Sequence, residues 1–60
     1  METIKLNEKG KVTIRQGYNA VDARKEICDA MDDAATDNNW TYYATLIGML
    51  EQVEDIIYGN

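Results

Sequence analysis

Apolar and polar residues alternate twice near the start of the chain, in Ile4-Lys5-Leu6 and in Val12-Thr13-Ile14. A period of two is the mark of a strand with one covered face. Between the runs, Asn7-Glu8-Lys9-Gly10 suits a type I turn closed by a glycine bulge: Asn favours the first position and Gly tolerates positive φ. The pattern predicts a β-hairpin over about residues 2–16. Ile4, Leu6, Val12 and Ile14 need a cover, whereas Thr3, Lys5, Lys11, Thr13 and Arg15 form a polar, mostly basic face.

The period then changes. Gly17-Tyr18 breaks the strand and Asn19 is a good N-cap, with Asp22 three residues on as the capping-box acid. Ala20, Ala23, Ile27, Ala30 and Ala34 follow at steps of three and four, which predicts a first helix over 20–35. Val21, Cys28 and Ala35 form a second line seven residues apart, with Met31 between. After Thr36-Asp37-Asn38-Asn39, a second helix is predicted over 39–58, stopped by Gly59-Asn60. Its seam is Tyr43, Leu46, Leu50, Val53 and Ile57, flanked by Tyr42, Met49 and Ile56 on one side and Ile47 on the other. This apolar arc covers roughly half the circumference, wider than the ~100° stripe of a helix packed on one surface. The fold class is therefore α+β, a single domain of order β-β-α-α over residues 1–60.

Size changes what this pattern implies. A 60-residue chain buries only about 60% of its unfolded surface and usually needs a disulfide, a metal or a partner subunit. Cys28 is the only cysteine and there is no histidine, so neither a disulfide within the chain nor a zinc site is expected. A homodimer through the second helix is the remaining remedy, and one hairpin with one alanine-rich helix is expected to leave that helix uncovered. The dimer interface is assigned to Tyr42, Tyr43, Leu46, Met49, Leu50, Val53, Ile56 and Ile57. Cys28, on an apolar flank, reads as a structural thiol.

The net charge of −5 is unevenly placed, +2 over residues 1–19 and −7 over 20–60. That distribution argues against broad phosphate-backbone binding, which needs a basic surface. No catalytic constellation, phosphate-cradling loop, membrane span or cofactor motif stands out, so a non-enzymatic, cofactor-free, metal-free cytoplasmic protein is expected. Asp22, Glu26, Asp29 and Asp33 recur at steps of four, three and four, a stripe suited to a partner with a basic surface. Trp40, the only tryptophan, is a candidate aromatic anchor. Arg24 and Glu54 lie inside apolar arcs and are candidates to pair within or between subunits, since a buried charge is costly alone.

Two resemblances add expectations. The basic, polar strand Lys11, Thr13, Arg15, followed by two helices, resembles the ribbon-helix-helix repressors, which implies a dimer whose paired strands read DNA through those three residues. In size, acidity and expected dimerisation the whole chain is similar to short phage-encoded anti-defence proteins of the Hachiman anti-defence type. That resemblance implies a homodimeric inhibitor of a bacterial antiviral defence protein. It is the leading expectation; the alternatives are the DNA-binding regulator and an antitoxin-like neutraliser of a basic toxin.

Overall fold

The computed structural model describes residues 1–59. Strands β1 (Ile4–Leu6) and β2 (Val12–Ile14) form an antiparallel hairpin, followed by helices α1 (Ala20–Thr36) and α2 (Trp40–Tyr58). This is the α+β, β-β-α-α order that the periodicities predict. The register sets Ile4 opposite Ile14, Lys5 opposite Thr13 and Leu6 opposite Val12.

Local chemistry explains each boundary. In the hairpin turn, the Asn7 side-chain carbonyl accepts from the Lys9 and Lys11 amides at 2.8 and 2.9 Å. Gly10 takes φ 80°, a left-handed geometry that a Cβ would strain. The predicted capping box is present at α1: Asn19 Oδ1 accepts from the Asp22 amide, and the Asp22 carboxylate accepts from the Asn19 amide. Asn39 caps α2, and Gly59 ends it in the left-handed region at φ 72°. Asn60 lies outside the described residues.

The core is one cluster drawn from all four elements. Ile4 and Val12 come from the hairpin, Ala23, Ile27 and Ala34 from α1, and Leu46, Met49 and Val53 from α2. Ile27, Leu46 and Val53 are fully buried. The two buried alanines of α1, Ala23 and Ala34, let the helices lie close.

These contacts correct the expected interface. Leu46, Met49 and Val53 are buried within the subunit, and Tyr43, Leu50 and Ile57 are half-buried against the same cluster. The 3-4-3-4 seam of α2 is thus the seam it shares with α1 and the hairpin. Only Tyr42 and Ile56 of the eight assigned residues remain exposed. Two expectations for the hairpin also change. Leu6, at the turn end of β1, is 46% exposed, and Thr3, placed on the polar face, is buried.

The layers follow from the helix faces. Glu26 of α1 and Gln52 of α2 both reach the hairpin. At ~100° per residue, Arg24, Cys28 and Met31 on α1 point well away from Glu26. On α2, Trp40, Ile47, Glu54 and Tyr58 point away from Gln52 in the same sense. A hydrogen bond from Arg24 Nη1 to the Tyr58 hydroxyl, 3.3 Å, confirms that these two flanks lie side by side. The hairpin therefore covers one face of the helix pair, and no element among the described residues covers the opposite face.

Candidate interaction surfaces

The acidic stripe is less uniform than its spacing suggests. Asp22 belongs to the α1 cap. Glu26 is a tether: Oε1 accepts from the Thr3 amide at 3.1 Å and the Thr3 hydroxyl at 2.8 Å, and Oε2 from the Glu2 amide at 3.2 Å. Those bonds explain the burial of Thr3 with its polar group satisfied. Asp29 and Asp33 remain exposed. The stripe thus divides into two structural carboxylates and two outward-facing ones.

Burial pushes the Glu26 carboxyl up, but the Thr3 amide, the Thr3 hydroxyl and the Glu2 amide favour its ionised form and hold it below the usual carboxylate range. A carboxyl that titrates lower when folded stabilises above its unfolded value of about 4.3. That contribution is lost as the pH falls through the lowered folded value. Acid titration followed by amide shifts should therefore move Glu2 and Thr3 together with Glu26. In the Glu26→Gln variant these two amides should show no common titration in that window.

The open face is mainly apolar. Val21, Trp40, Ile47 and Tyr58 are 53%, 58%, 40% and 61% exposed, and Cys28 is exposed beside them. The thiol expected to be structural is thus a surface group. Trp40 leans edge-on against Tyr43, with ring centroids 5.5 Å apart and planes at 68°. It is therefore a braced surface aromatic, not a core residue. Arg24 and Glu54 are both half-buried on this face, with Arg24 bonded to Tyr58 rather than to Glu54. Around the helices, Asp29 and Asp33 sit roughly 100–140° from Cys28 on α1, so the acidic flank and the Trp40 anchor are two surfaces.

Lys11, Thr13 and Arg15 are all exposed, but their surroundings differ from a paired-strand DNA reader. The Thr13 hydroxyl donates to the Lys5 carbonyl at 3.2 Å, and Arg15 Nε to the Ile4 carbonyl at 2.9 Å. One edge of β2 is paired with β1. The other is clasped by the Gln52 side chain, which accepts from the Val12 amide at 2.9 Å and donates to the Gly10 carbonyl at 3.0 Å. Gln52 mimics a peptide group of a third strand. Nothing in the α2 periodicity marks it, because it lies outside the apolar arc.

A groove of about 310 Å³ runs between the hairpin and α2, lined by Ile4, Leu6, Tyr42 and Met49 with Met1, Lys5 and Arg15. Among the described residues, no group of three or more acidic or cysteine side chains is placed to hold a metal ion, and no helix is long and apolar enough to cross a membrane. Comparison with known proteins finds no matching family model, no similar curated protein and no similar solved structure.

Proposed function

We propose that this chain is a small non-enzymatic protein-binding inhibitor that works as a homodimer. A phage protein blocking a bacterial antiviral defence component in the host cytoplasm is the role we assign it. The observation that carries the reading is the uncovered helical face opposite the hairpin. Large apolar side chains exposed together on one face of a small protein mark an interaction surface.

The chemistry of that face suits a second copy. Its central charges are one cation, Arg24, and one anion, Glu54, so a two-fold axis can set each Arg24 against the partner subunit's Glu54. The molecule measures 31 by 22 by 20 Å, large enough for such a face to approach the ~800 Å² per subunit of a specific interface. The interface is then Val21, Cys28, Trp40, Ile47 and Tyr58, with Tyr43 and Leu50 beneath, rather than the α2 seam. Asp29 and Asp33 stay outside the dimer and face a basic surface on the target. The same physics serves an antitoxin-like neutraliser, which differs only in target. A DNA-binding ribbon is less well supported, since β2 is engaged on both edges.

Assembly is tested by sedimentation at micromolar concentration. A dimer is expected for the parent chain and a monomer for Ile47→Glu, with Trp40 emission shifting to the red on dilution. A folded parent monomer would refute the dimer. Function is tested by expressing the chain in bacteria that each carry one antiviral defence system and plating phage. Plaques should return with at least one system and be lost again with Asp29→Lys/Asp33→Lys; no rescue across a broad panel, or rescue indifferent to the charge reversal, counts against the inhibitor reading.

A further inference from the structure

The two edges of the hairpin are treated differently. The Arg15 amide donates to the Thr3 carbonyl, and the Asn7 amide to the Lys11 carbonyl. With the Ile4–Ile14, Lys5–Thr13 and Leu6–Val12 register, the hydrogen-bonded pairs are then 3/15, 5/13 and 7/11. The backbone groups of Ile4 and Leu6 therefore point away from β2, along the outer edge of β1. On β2 the corresponding edge is clasped at its Val12 end by Gln52. On β1, among the described residues, no helix side chain bonds the outward backbone groups of Ile4 and Leu6, and the Glu26 tether lies before the strand, at Glu2 and Thr3. Among the described residues, the side chain bonded there is that of Arg15, whose Nε reaches round to the Ile4 carbonyl.

This open edge borders the groove described above. Ile4 and Met49 are almost fully buried at its base, and Leu6 and Tyr42 stand as exposed walls at 46% and 42%. Lys5 and Arg15 lie among its lining, and no acidic residue does. In a chain of net charge −5, a groove with two cations and no anion is a local reversal of sign. The Arg15 Nε bond leaves both terminal nitrogens of its guanidinium to meet a carboxylate, which they fit in bidentate fashion.

We propose that the outer edge of β1 accepts an extended acidic peptide segment of a partner protein as a third strand. Main-chain bonds to Ile4 and Leu6 supply the pairing, and one apolar side chain enters between Leu6, Tyr42 and Met49. A carboxylate on a neighbouring position meets Lys5 and Arg15, the latter leaving the Ile4 carbonyl so that a peptide amide can take its place. This is strand addition to an exposed sheet edge, where the backbone gives affinity and the pockets give specificity. The contact is separate from the basic target surface expected at Asp29 and Asp33, so the two proposals can fail independently.

The probe is the acetylated, amidated pentapeptide Thr-Leu-Glu-Val-Asp, titrated to about 1 mM, the range of a weak peptide complex, into the full-length protein and followed by amide shifts. The expected result is a saturable shift, with slowed amide exchange, centred on Ile4, Leu6 and Tyr42. Affinity should fall about tenfold in Lys5→Glu, as for loss of a paired charge. It should also fall in Arg15→Gln, with circular dichroism confirming that both variants fold. Thr-Leu-Lys-Val-Lys, and the acidic peptide methylated at alternate amide nitrogens, should not bind. Overturning results are no shift at Ile4 and Leu6, equal binding of the basic peptide, or equal binding of the methylated one. The first removes the site, the second the charge selection and the third the strand pairing.

Discussion

Leu46→Ala is expected to leave the protein unfolded, or close to it, at room temperature. Leu46 has no exposed surface and sits beside Ile27 and Val53, which have none either. Truncating a leucine in such a site costs about 2–5 kcal/mol, because transfer energy is lost and a cavity remains. A 60-residue domain at typical stability per residue has only about 3–9 kcal/mol in total. Far-UV circular dichroism with a urea titration will read the loss. Ile47→Ala is the matched control: one residue on and about 100° round the helix, Ile47 is 40% exposed. Its monomer stability should change by roughly 0.5–1 kcal/mol or less. If Ile47 proves the costlier of the two, the assignment of the α2 seam to the subunit interior is wrong.

The second large effect is expected at Gln52, a polar residue that no core inventory would include. Gln52→Ala removes both the acceptor for the Val12 amide and the donor to the Gly10 carbonyl. Stranding partly buried backbone groups costs about 1–3 kcal/mol each, although water can recover some of that at the Gly10 end, which is exposed. The hairpin should loosen while the helices persist. Native-state hydrogen exchange should then show the Val12 amide opening far faster, with α1 and α2 less affected. Gln52→Glu separates the two bonds. A carboxylate still accepts from Val12 but faces the Gly10 carbonyl with an oxygen instead of a donor, so a smaller loss is expected, reduced further where acid protonates the new side chain. If glutamate behaves like alanine at neutral pH, the clasp contributes nothing through Val12; if acid does not reduce the glutamate loss, it contributes nothing through Gly10.

The order of elements was legible because each rests on local chemistry. Alternation at Ile4 to Ile14, the Asn19–Asp22 cap and the Gly10 and Gly59 stops depend on neighbours within a few residues. The seam of α2 was legible too, but not what covers it. Periodicity reports which face of a helix is apolar and is silent about the body that lies on it. The breadth of the α2 arc suggested a partner at Leu46 and Val53, whereas the subunit itself buries them and leaves Trp40, Ile47 and Tyr58 outside. Leu6 and Thr3 misread for the related reason that a two-stranded sheet has ends and edges, where alternation alone does not fix burial.

The candidate surfaces were legible in part. The spacing of Asp22, Glu26, Asp29 and Asp33 did place four acids on one flank. It did not separate Asp22 and Glu26, which hold the cap and the N-terminal segment, from Asp29 and Asp33, which remain outward. Gln52 left no trace in the pattern, because a side chain that replaces a strand is chosen by a contact forty positions away in sequence. The β1 groove was equally hidden. Lys5 and Arg15 read as strand-face cations, and only the fold sets them beside Tyr42 and Met49.

That forty-residue separation matters while the chain is being made. The hairpin is synthesised first, and two strands alone are marginal in water. At ribosomal speeds of about 5–20 residues per second, Gln52 is added about 2–8 s after Val12. Until then the outer edge of β2 is as open as that of β1. The N-terminal third of the nascent protein must wait for its last helix before it has a stable place to rest.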